Sequence, residues 1–281
     1  MKIYKRMQKI LIFGAGWLGN KYKDYLGATL SAANITVKKS VEKELDEYKP
    51  NVVINTAGKT GRPNIDWCED HKIETIESNT IGPIVLMNAC LKRNIHLVHL
   101  SSGCIFNGAS AHTNGFTEND APNPVSFYSW TKAWADEVLK NFPVLILRIR
   151  MPIDSLPSPR NLITKLSGYN NIIDVENSIT IVDDLLFATR KLIQKKKTGI
   201  YNITNPEAVK HKDIMQWYKE IVDSNHKYTM IPAQDLLIKK IAKAGRSNCV
   251  LDTSKLQKEG IILHNTKDAI IACMKEYKKH L

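Results

Sequence analysis

Tyr128 and Lys132 stand four residues apart in a stretch, Val125 to Lys140, whose apolar positions recur at helical spacing. Four residues is about one turn, so the phenol and the ammonium share a face. A free phenol, with a pKa near ~10, is a weak acid–base group at neutral pH. An adjacent ammonium favours phenolate and is expected to lower that value. The same lysine can reach a ribose hydroxyl. Ser101 and Ser102 close an apolar run about 26 residues before the tyrosine. A hydroxyl there can hold a substrate carbonyl together with Tyr128. Cys104, two residues further on, can donate or accept a proton in a cleft near cations. Its alternative is a small buried hydrophobe. Lys165, in a short helical stretch from Asn161 to Leu166, becomes a base if it is desolvated, and is otherwise an ordinary surface lysine.

A second constellation lies near the N-terminus. Gly14-Ala15-Gly16-Trp17-Leu18-Gly19 follows the apolar run Ile10 to Phe13 and precedes a helical pattern from Trp17 to Leu26. In that context the first glycine allows the tight turn. The second admits a pyrophosphate to the backbone, and the third lets strand and helix pack closely. The free N–H groups of the helix start complete a phosphate site. Readers of NAD usually carry Asp or Glu at the end of the second strand. Here Ser31-Ala32-Ala33-Asn34 stands there, with Lys38 and Lys39 beyond and no carboxylate before Glu42. Ser31, Asn34 or a nearby lysine is expected to meet a 2′-phosphate, so the expected cofactor is NADPH. Asn55, Ala57, Gly58, Thr60 and Asn79 are assigned to the same cofactor, with Tyr128 and Lys132 at its nicotinamide end.

These groups need a scaffold. Ile10 to Phe13, Ala28 to Ala32, Asn51 to Ala57, Ile95 to Ser101 and Val144 to Ile149 read as buried strands. Helical patterns separate them, among them Thr75 to Lys92, where Gly82-Pro83 predicts a kink or turn. Strands alternating with helices imply crossover units: an α/β, Rossmann-type doubly wound parallel sheet. Residues 1–150 are expected to be the NADPH-binding domain. Beyond 150 the elements shorten, and Pro152, Pro157, Pro159 and Pro206 interrupt them. Asp183 to Gln194 and Lys212 to Val222 read as helices, the carboxylates of Asp183-Asp184 capping the first. Residues 151–281 are expected to form mainly a smaller substrate-binding region at the carboxyl ends of the strands, with the chain crossing back to the first domain.

The chain has 281 residues with 43% hydrophobic and 24% charged residues, ordinary globular proportions. No apolar run reaches the roughly 20 residues of a membrane span. The basic segment Met1 to Gln8 leads into an apolar run that stops at Phe13, and no cleavage site follows, so no signal peptide is read. The five cysteines form no CxxC pair. Neither a disulfide framework nor a zinc site is expected, and a cytoplasmic location fits. The net charge of +12 comes from dispersed lysines. It reads as a solvated surface that steers an anionic small molecule, with no nucleic-acid or membrane partner expected.

In order along the chain, the phosphate loop, the Asn55-Thr56-Ala57-Gly58 strand end, Ser101-Ser102 and the Tyr128/Lys132 pair follow the short-chain dehydrogenase/reductase pattern. A longer likeness adds to it. Thr60-Gly61-Arg62-Pro63-Asn64-Ile65-Asp66-Trp67-Cys68-Glu69 resembles a segment of the UDP-4-keto-6-deoxyglucose 3,5-epimerase/4-reductases of UDP-rhamnose synthesis. Ser102 to Phe106, Phe127 to Ser129, Arg148 to Ile153, Pro159 to Lys165, Gly199 to Asn202 and Arg246 to Asn248 match as well. The resemblance covers about residues 9 to 256, and the broader relatives are the dTDP-4-dehydrorhamnose reductases.

The resemblance implies a bifunctional enzyme. Cys104 and Lys165 match the acid–base pair that inverts C3 and C5 of a UDP-linked 4-keto-6-deoxy sugar. NADPH then reduces C4, with Tyr128 as proton donor, Ser102 holding the oxygen and Lys132 tuning Tyr128. Arg246 and Asn161 match holders of the nucleotide diphosphate. Thr60, Arg62 and Asn64, with Met151, match the sugar pocket. The implied product is UDP-β-L-rhamnose. The chain departs from the family in its shorter glycine loop and in lacking a second-strand arginine near Thr36.

Three other functions remain open on sequence. One is a dTDP-4-dehydrorhamnose reductase-like 4-keto reductase without epimerase activity. Another is a 4-epimerase or dehydratase of the same fold, although Gly103-Cys104 stands where a dehydratase has carboxylates. The third is a non-catalytic nucleotide-binding regulatory subunit, which commonly loses the tyrosine or lysine kept here. The helices Thr75 to Lys92 and Val125 to Lys140 are expected to pack against their copies in a homodimer.

Overall fold

In the computed structural model, residues 8–281 are described. The basic segment Met1 to Met7, part of the stretch weighed as a leader, lies outside them. Five parallel strands precede residue 150: β1 (Ile10–Phe13), β2 (Thr29–Ser31), β3 (Val52–Asn55), β4 (His96–Ser102) and β5 (Leu145–Ile149). A sixth, Gly199–Asn202, adds to the edge beside β5. The order Gly199–Asn202, β5, β4, β3, β1, β2 reverses direction after β1, as in a doubly wound sheet. The central strands are fully buried on both faces, which is why they read as unbroken apolar runs rather than alternating ones.

Helices cover both faces. On one side Val182–Gln194 and the helix Trp17–Leu26 pack on Ile12, Ile54, Val98 and Leu147. On the other, Gly82–Leu91 and Phe127–Leu139 pack on Leu11, Val53, Leu97 and Ile146. The strand Gly199–Asn202 and the Val182–Gln194 helix belong to the layers of this sheet although both lie beyond residue 150. A separate apolar cluster holds three C-terminal helices together. It joins the short helix Leu162–Ser167, the helix His211–Ile221 and the helix Thr266–Lys278.

Three local features differ from the sequence reading. The helix through Gly82-Pro83 does not break. A π turn, Glu77–Ile81, precedes it, and the α-helix resumes at Gly82. Pro83 has no N–H to give the preceding turn, and the wider turn absorbs that loss. The third strand stops at Asn55 rather than Ala57, because the chain turns there to meet the glycine loop. Asp183 and Asp184 lie in the first turn of their helix, whose N-cap is Ile181, so neither is the cap expected of them.

Candidate active site

The glycine loop is made by contact. Gly14 has φ +105°, and a Cβ there would lie 2.4 Å from the Ala57 nitrogen. A Cβ on Gly19 would lie 1.9 Å from the Gly14 oxygen. Thr56 locks the turn by donating its hydroxyl to the Gly14 carbonyl at 2.7 Å. Gly16, in contrast, faces open space within 4 Å. It is the N-cap of Trp17–Leu26 and has no side chain to occupy the free N–H groups. Gly16, Trp17, Leu18 and Gly19 therefore present an uncapped helix start to a cavity of about 790 Å³, which fits an anionic dinucleotide phosphate.

At the end of the second strand, Ser31 and Asn34 take part in local hydrogen bonds. Ser31 is buried, and its hydroxyl accepts the Ala33 N–H at 3.0 Å. The Asn34 side-chain oxygen accepts both the N–H and the hydroxyl of Thr36, each at 3.0 Å. Both side chains hold the turn after β2, and neither is on the cavity wall. Asn55 is also withdrawn: it is fully buried, its oxygen accepting the Ala57 N–H at 3.0 Å. Ala57, Gly58, Thr60 and Asn79 do line the cavity. Asn79 holds the loop after β3 through both Lys59 backbone groups, at 2.7 and 2.9 Å.

Ser102, Cys104, Tyr128 and Lys132 all reach the same cavity. Ser102 ends β4 and caps the 3₁₀ turn Gly103–Ile105. Its hydroxyl accepts the Cys104 N–H at 3.2 Å and donates to the Cys104 sulfur at 2.9 Å. Tyr128 sits in the first turn of Phe127–Leu139. Ser126 caps that helix, and Glu69 accepts the Phe127 N–H at 2.8 Å. Burial pushes the Tyr128 hydroxyl well above the ordinary phenol value, and Cys104 adds to this. A hydrogen bond with Ser102 opposes both. The expectation that Lys132 would lower this value is thus corrected. Lys132 is buried, donates to the Leu100 carbonyl at 2.8 Å, and is itself pushed below the ordinary lysine value by burial. The phenol rests protonated, as a proton donor must.

At the far end the wall is cationic. Lys165 lines it from Leu162–Ser167. Burial, then the charges of Arg160 and Arg246, weaken its hold on a proton. Arg160 was not singled out from sequence as a site residue. Its guanidinium donates to the Thr60 hydroxyl at 2.6 Å and the Gly61 carbonyl at 2.8 Å. Arg246 closes a two-armed pair with Asp66 at 2.7 and 2.8 Å, and reaches the Asn64 oxygen at 3.4 Å. Met151, also on the wall, has φ +42°. His211, also on the wall and pushed down to about 4 by burial and then by the Arg150 charge, meets the Met151 sulfur at 3.4 Å.

Two expected substrate residues are elsewhere. Arg62 is exposed and off the cavity wall. Asn161 is fully buried as the N-cap of Leu162–Ser167, where its oxygen accepts the Ile163 N–H. Its amide donates to the carbonyls of Asp154 at 2.7 Å and Leu156 at 2.9 Å. It orients the helix that carries Lys165 instead of touching the cavity. A capping side chain and a ligand-binding one look alike in sequence.

A proton donor held beside a dinucleotide cradle makes the class a Rossmann-type oxidoreductase. The chain belongs to the RmlD substrate binding domain family, whose profile matches residues 9–279. It is 39% identical to a bifunctional dTDP-4-dehydrorhamnose 3,5-epimerase/dTDP-4-dehydrorhamnose reductase of Arabidopsis thaliana, over 96% of this chain and 93% of that protein. It is 38% identical to a trifunctional UDP-glucose 4,6-dehydratase/UDP-4-keto-6-deoxy-D-glucose 3,5-epimerase/UDP-4-keto-L-rhamnose-reductase of the same plant, of which it spans 43%. The crystal structure of the UDP-rhamnose synthase of Acanthamoeba polyphaga mimivirus superposes with a TM-score of 0.90 at 35% identity. That likeness covers 96% of this chain and 99% of the other. The NADP complex of a Bacillus anthracis dTDP-4-dehydrorhamnose reductase shares the fold, with a TM-score of 0.80 at 18% identity over 98% and 99% of the two chains.

Proposed function

We propose that the chain is a bifunctional 3,5-epimerase/4-reductase that converts UDP-4-keto-6-deoxy-D-glucose to UDP-β-L-rhamnose with NADPH. The observation that carries the proposal is the meeting of two proton-handling sets in one cavity: Ser102 and Tyr128, and Cys104 and Lys165. A 4-keto group acidifies the protons on C3 and C5. Lys165, desolvated and under the charges of Arg160 and Arg246, is suited to accept one of them as a neutral amine. The Cys104 thiol is the partner that returns a proton. Ser102 and Tyr128 hold the carbonyl oxygen, which gains negative charge in each enolisation.

NADPH supplies the hydride for C4, at the end of the cavity that the uncapped helix start at Gly16 defines. Tyr128, kept protonated by burial, gives the matching proton to the oxygen. Arg160 and Arg246 supply positive charge for the nucleotide diphosphate. The plant bifunctional relative supports the pairing of activities in a chain of this size, and the mimivirus synthase supports the uridine sugar.

The decisive experiment is product analysis after incubation with UDP-4-keto-6-deoxyglucose and NADPH. Wild type is expected to form UDP-L-rhamnose. Cys104→Ala is expected to yield a reduced, unepimerised sugar or nothing. Rhamnose formed by Cys104→Ala at the wild-type rate would remove the thiol from the mechanism. A wild type that reduces without inverting C3 or C5 would leave a 4-keto reductase alone.

The proposal extends to a homodimer. Trp130, Trp134 and Val138 are exposed along one helix, with Ile73 and Ile81 exposed on the neighbouring helical segment. Packing these faces against their copies would cover them. Sedimentation of a monomer at micromolar concentration would refute the dimer. The five buried free cysteines suit a reducing compartment such as the cytoplasm.

A further inference from the structure

His99 is fully buried in the middle of β4 and has no part in the chemistry described so far. The register of β3 and β4 sets it directly beside Asn55. The Asn55 amide has one available orientation, because its oxygen accepts the Ala57 N–H at 3.0 Å. Its nitrogen therefore faces His99 Nδ1, at 3.1 Å. An amide nitrogen only donates, so Nδ1 must accept. A neutral imidazole that accepts at Nδ1 carries its proton on Nε2. That nitrogen lies 3.3 Å from the Lys132 ammonium nitrogen.

We propose that His99 is a positioning residue for Lys132: Asn55 holds it as the Nε2–H tautomer, so that it turns a donor toward the lysine nitrogen and favours the amine over the ammonium. The inference takes Tyr128 and Lys132 as the reductase pair argued above. An N–H facing an ammonium is repulsive, while an N–H facing an amine is a hydrogen bond. His99 does not escape by becoming a cation, because burial and then the Lys132 charge push it well below its ordinary value.

The other groups around Lys132 leave this effect standing. The Leu100 carbonyl takes one of its protons, at 2.8 Å. Cys104, on the adjoining turn, favours the ammonium, as does Asp136, one turn along the same helix. Asp136 is paired with the buried Arg148 at 2.8 Å, and burial of Lys132 outweighs both opposing groups. Lys132 therefore carries a proton that is more readily lost than that of a surface lysine.

Histidine ¹⁵N NMR of the full chain reads the tautomer directly, with the His99 signal assigned by its loss in His99→Gln. The expected spectrum has Nδ1 unprotonated and Nε2 protonated through neutral pH. A protonated Nδ1 overturns the proposal. A second readout is the Lys132 titration, followed by ε-¹³C lysine labelling. In His99→Gln the freed amide can turn its oxygen to the ammonium, so the midpoint is expected to rise by about one pH unit. An unchanged midpoint overturns the proposal, whatever the change in stability or turnover.

Asn55→Asp offers the same test if His99→Gln does not fold. It keeps the Ala57 contact but accepts from Nδ1, so its ¹⁵N spectrum is expected to show a protonated Nδ1 where wild type has none, and the same Nδ1 state in both chains overturns the proposal. Neither NMR measurement needs turnover. A wild type that fails to oxidise NADPH with the keto sugar would refute the reductase reading separately. With turnover, the alkaline limb of kcat is expected to move upward with the Lys132 midpoint.

Discussion

At the cofactor end the cleft is made of backbone, and at the sugar end it is made of long side chains. Gly14, Gly16 and Gly19 act by lacking a Cβ, and all lie within six residues of one another. Arg160, Lys165 and Arg246 act through charge held in space by partners up to 180 residues away, as in the Arg246–Asp66 pair. The first end is a local motif in which a side chain at Gly14 or Gly19 has no room. The second is an assembly of three separate chain segments, around residues 60–66, 160–165 and 241–246. Substitutions there should tune affinity and pH response without dismantling the fold.

The sharpest test of that contrast is chemical. Tyr128→Phe removes the proton donor without disturbing the cradle, so keto reduction is expected to fall about 10²- to 10⁴-fold while NADPH still binds. Fluorescence titration of NADPH beside single-turnover kinetics checks both halves. Loss of binding together with loss of turnover would mean that the two ends are not separable.

Next in size is Gly19→Ala. Its Cβ has no room beside the Gly14 carbonyl, so the strand–helix contact must open. A stability loss of about 1–3 kcal/mol is expected, seen as a lower midpoint in urea. Gly16→Ala, which meets open space, is expected to leave stability nearly unchanged and to weaken NADPH binding alone. Equal effects on stability at the two positions would break the assignment of the loop.

At the sugar end, Arg160→Ala should raise KM for the nucleotide sugar by about tenfold, the loss of one hydrogen-bonded charge contact. The affinity for NADPH is expected to stay as it was. Lys165 adds a pH response. Its proton is held more weakly than an ordinary lysine's, so the amine fraction, and with it deuterium uptake at C3 and C5 in D₂O, should rise with pH. The rise should level off below the ordinary lysine value of ~10.4. Lys165→Met is expected to abolish uptake and leave any direct reduction of the 4-keto sugar. Uptake that ignores pH would assign the base elsewhere.

The smallest effect concerns the Asp66–Arg246 pair. Burial raises the Asp66 carboxyl, but the hydrogen bond and charge of Arg246 together with two backbone N–H groups outweigh it and leave it low. Its folded value lies below its unfolded one, so the pair stabilises the fold above the unfolded value near ~3.9 and loses that effect as pH falls through the folded one. Both side chains are partly exposed, so the contribution should stay below about 1 kcal/mol. Comparing Asp66→Asn with wild type in urea at pH 7 and pH 3 measures it, and a difference that does not shrink at low pH would contradict this sign.

Much of the scaffold was legible in the chain. Apolar runs such as Ile10 to Phe13 and Ile95 to Ser101 mark buried parallel strands, because a strand covered on both faces has no polar side to alternate with. Their exact ends were not legible. Asn55 leaves the strand to bond Ala57 and His99, contacts that involve another strand. The π turn before Pro83 was also hidden, since a proline after a helical run equally suits a break.

By itself the sequence determined the succession of strands along the chain, the glycine turn, the one-turn spacing of Tyr128 and Lys132 and the serine at the end of β4. Each depends on neighbours within a few residues, so local geometry follows from residue type. Only the tertiary structure decided what those residues meet. It withdrew Ser31, Asn55 and Asn161 into local hydrogen bonds, left Arg62 outside, and brought Arg160 in. It also reversed the expected influence on Tyr128, because removal from water acts on a phenol more strongly here than a lysine whose nitrogen is turned toward β4. Burial is a property of the whole packed chain, and spacing along the sequence does not encode it.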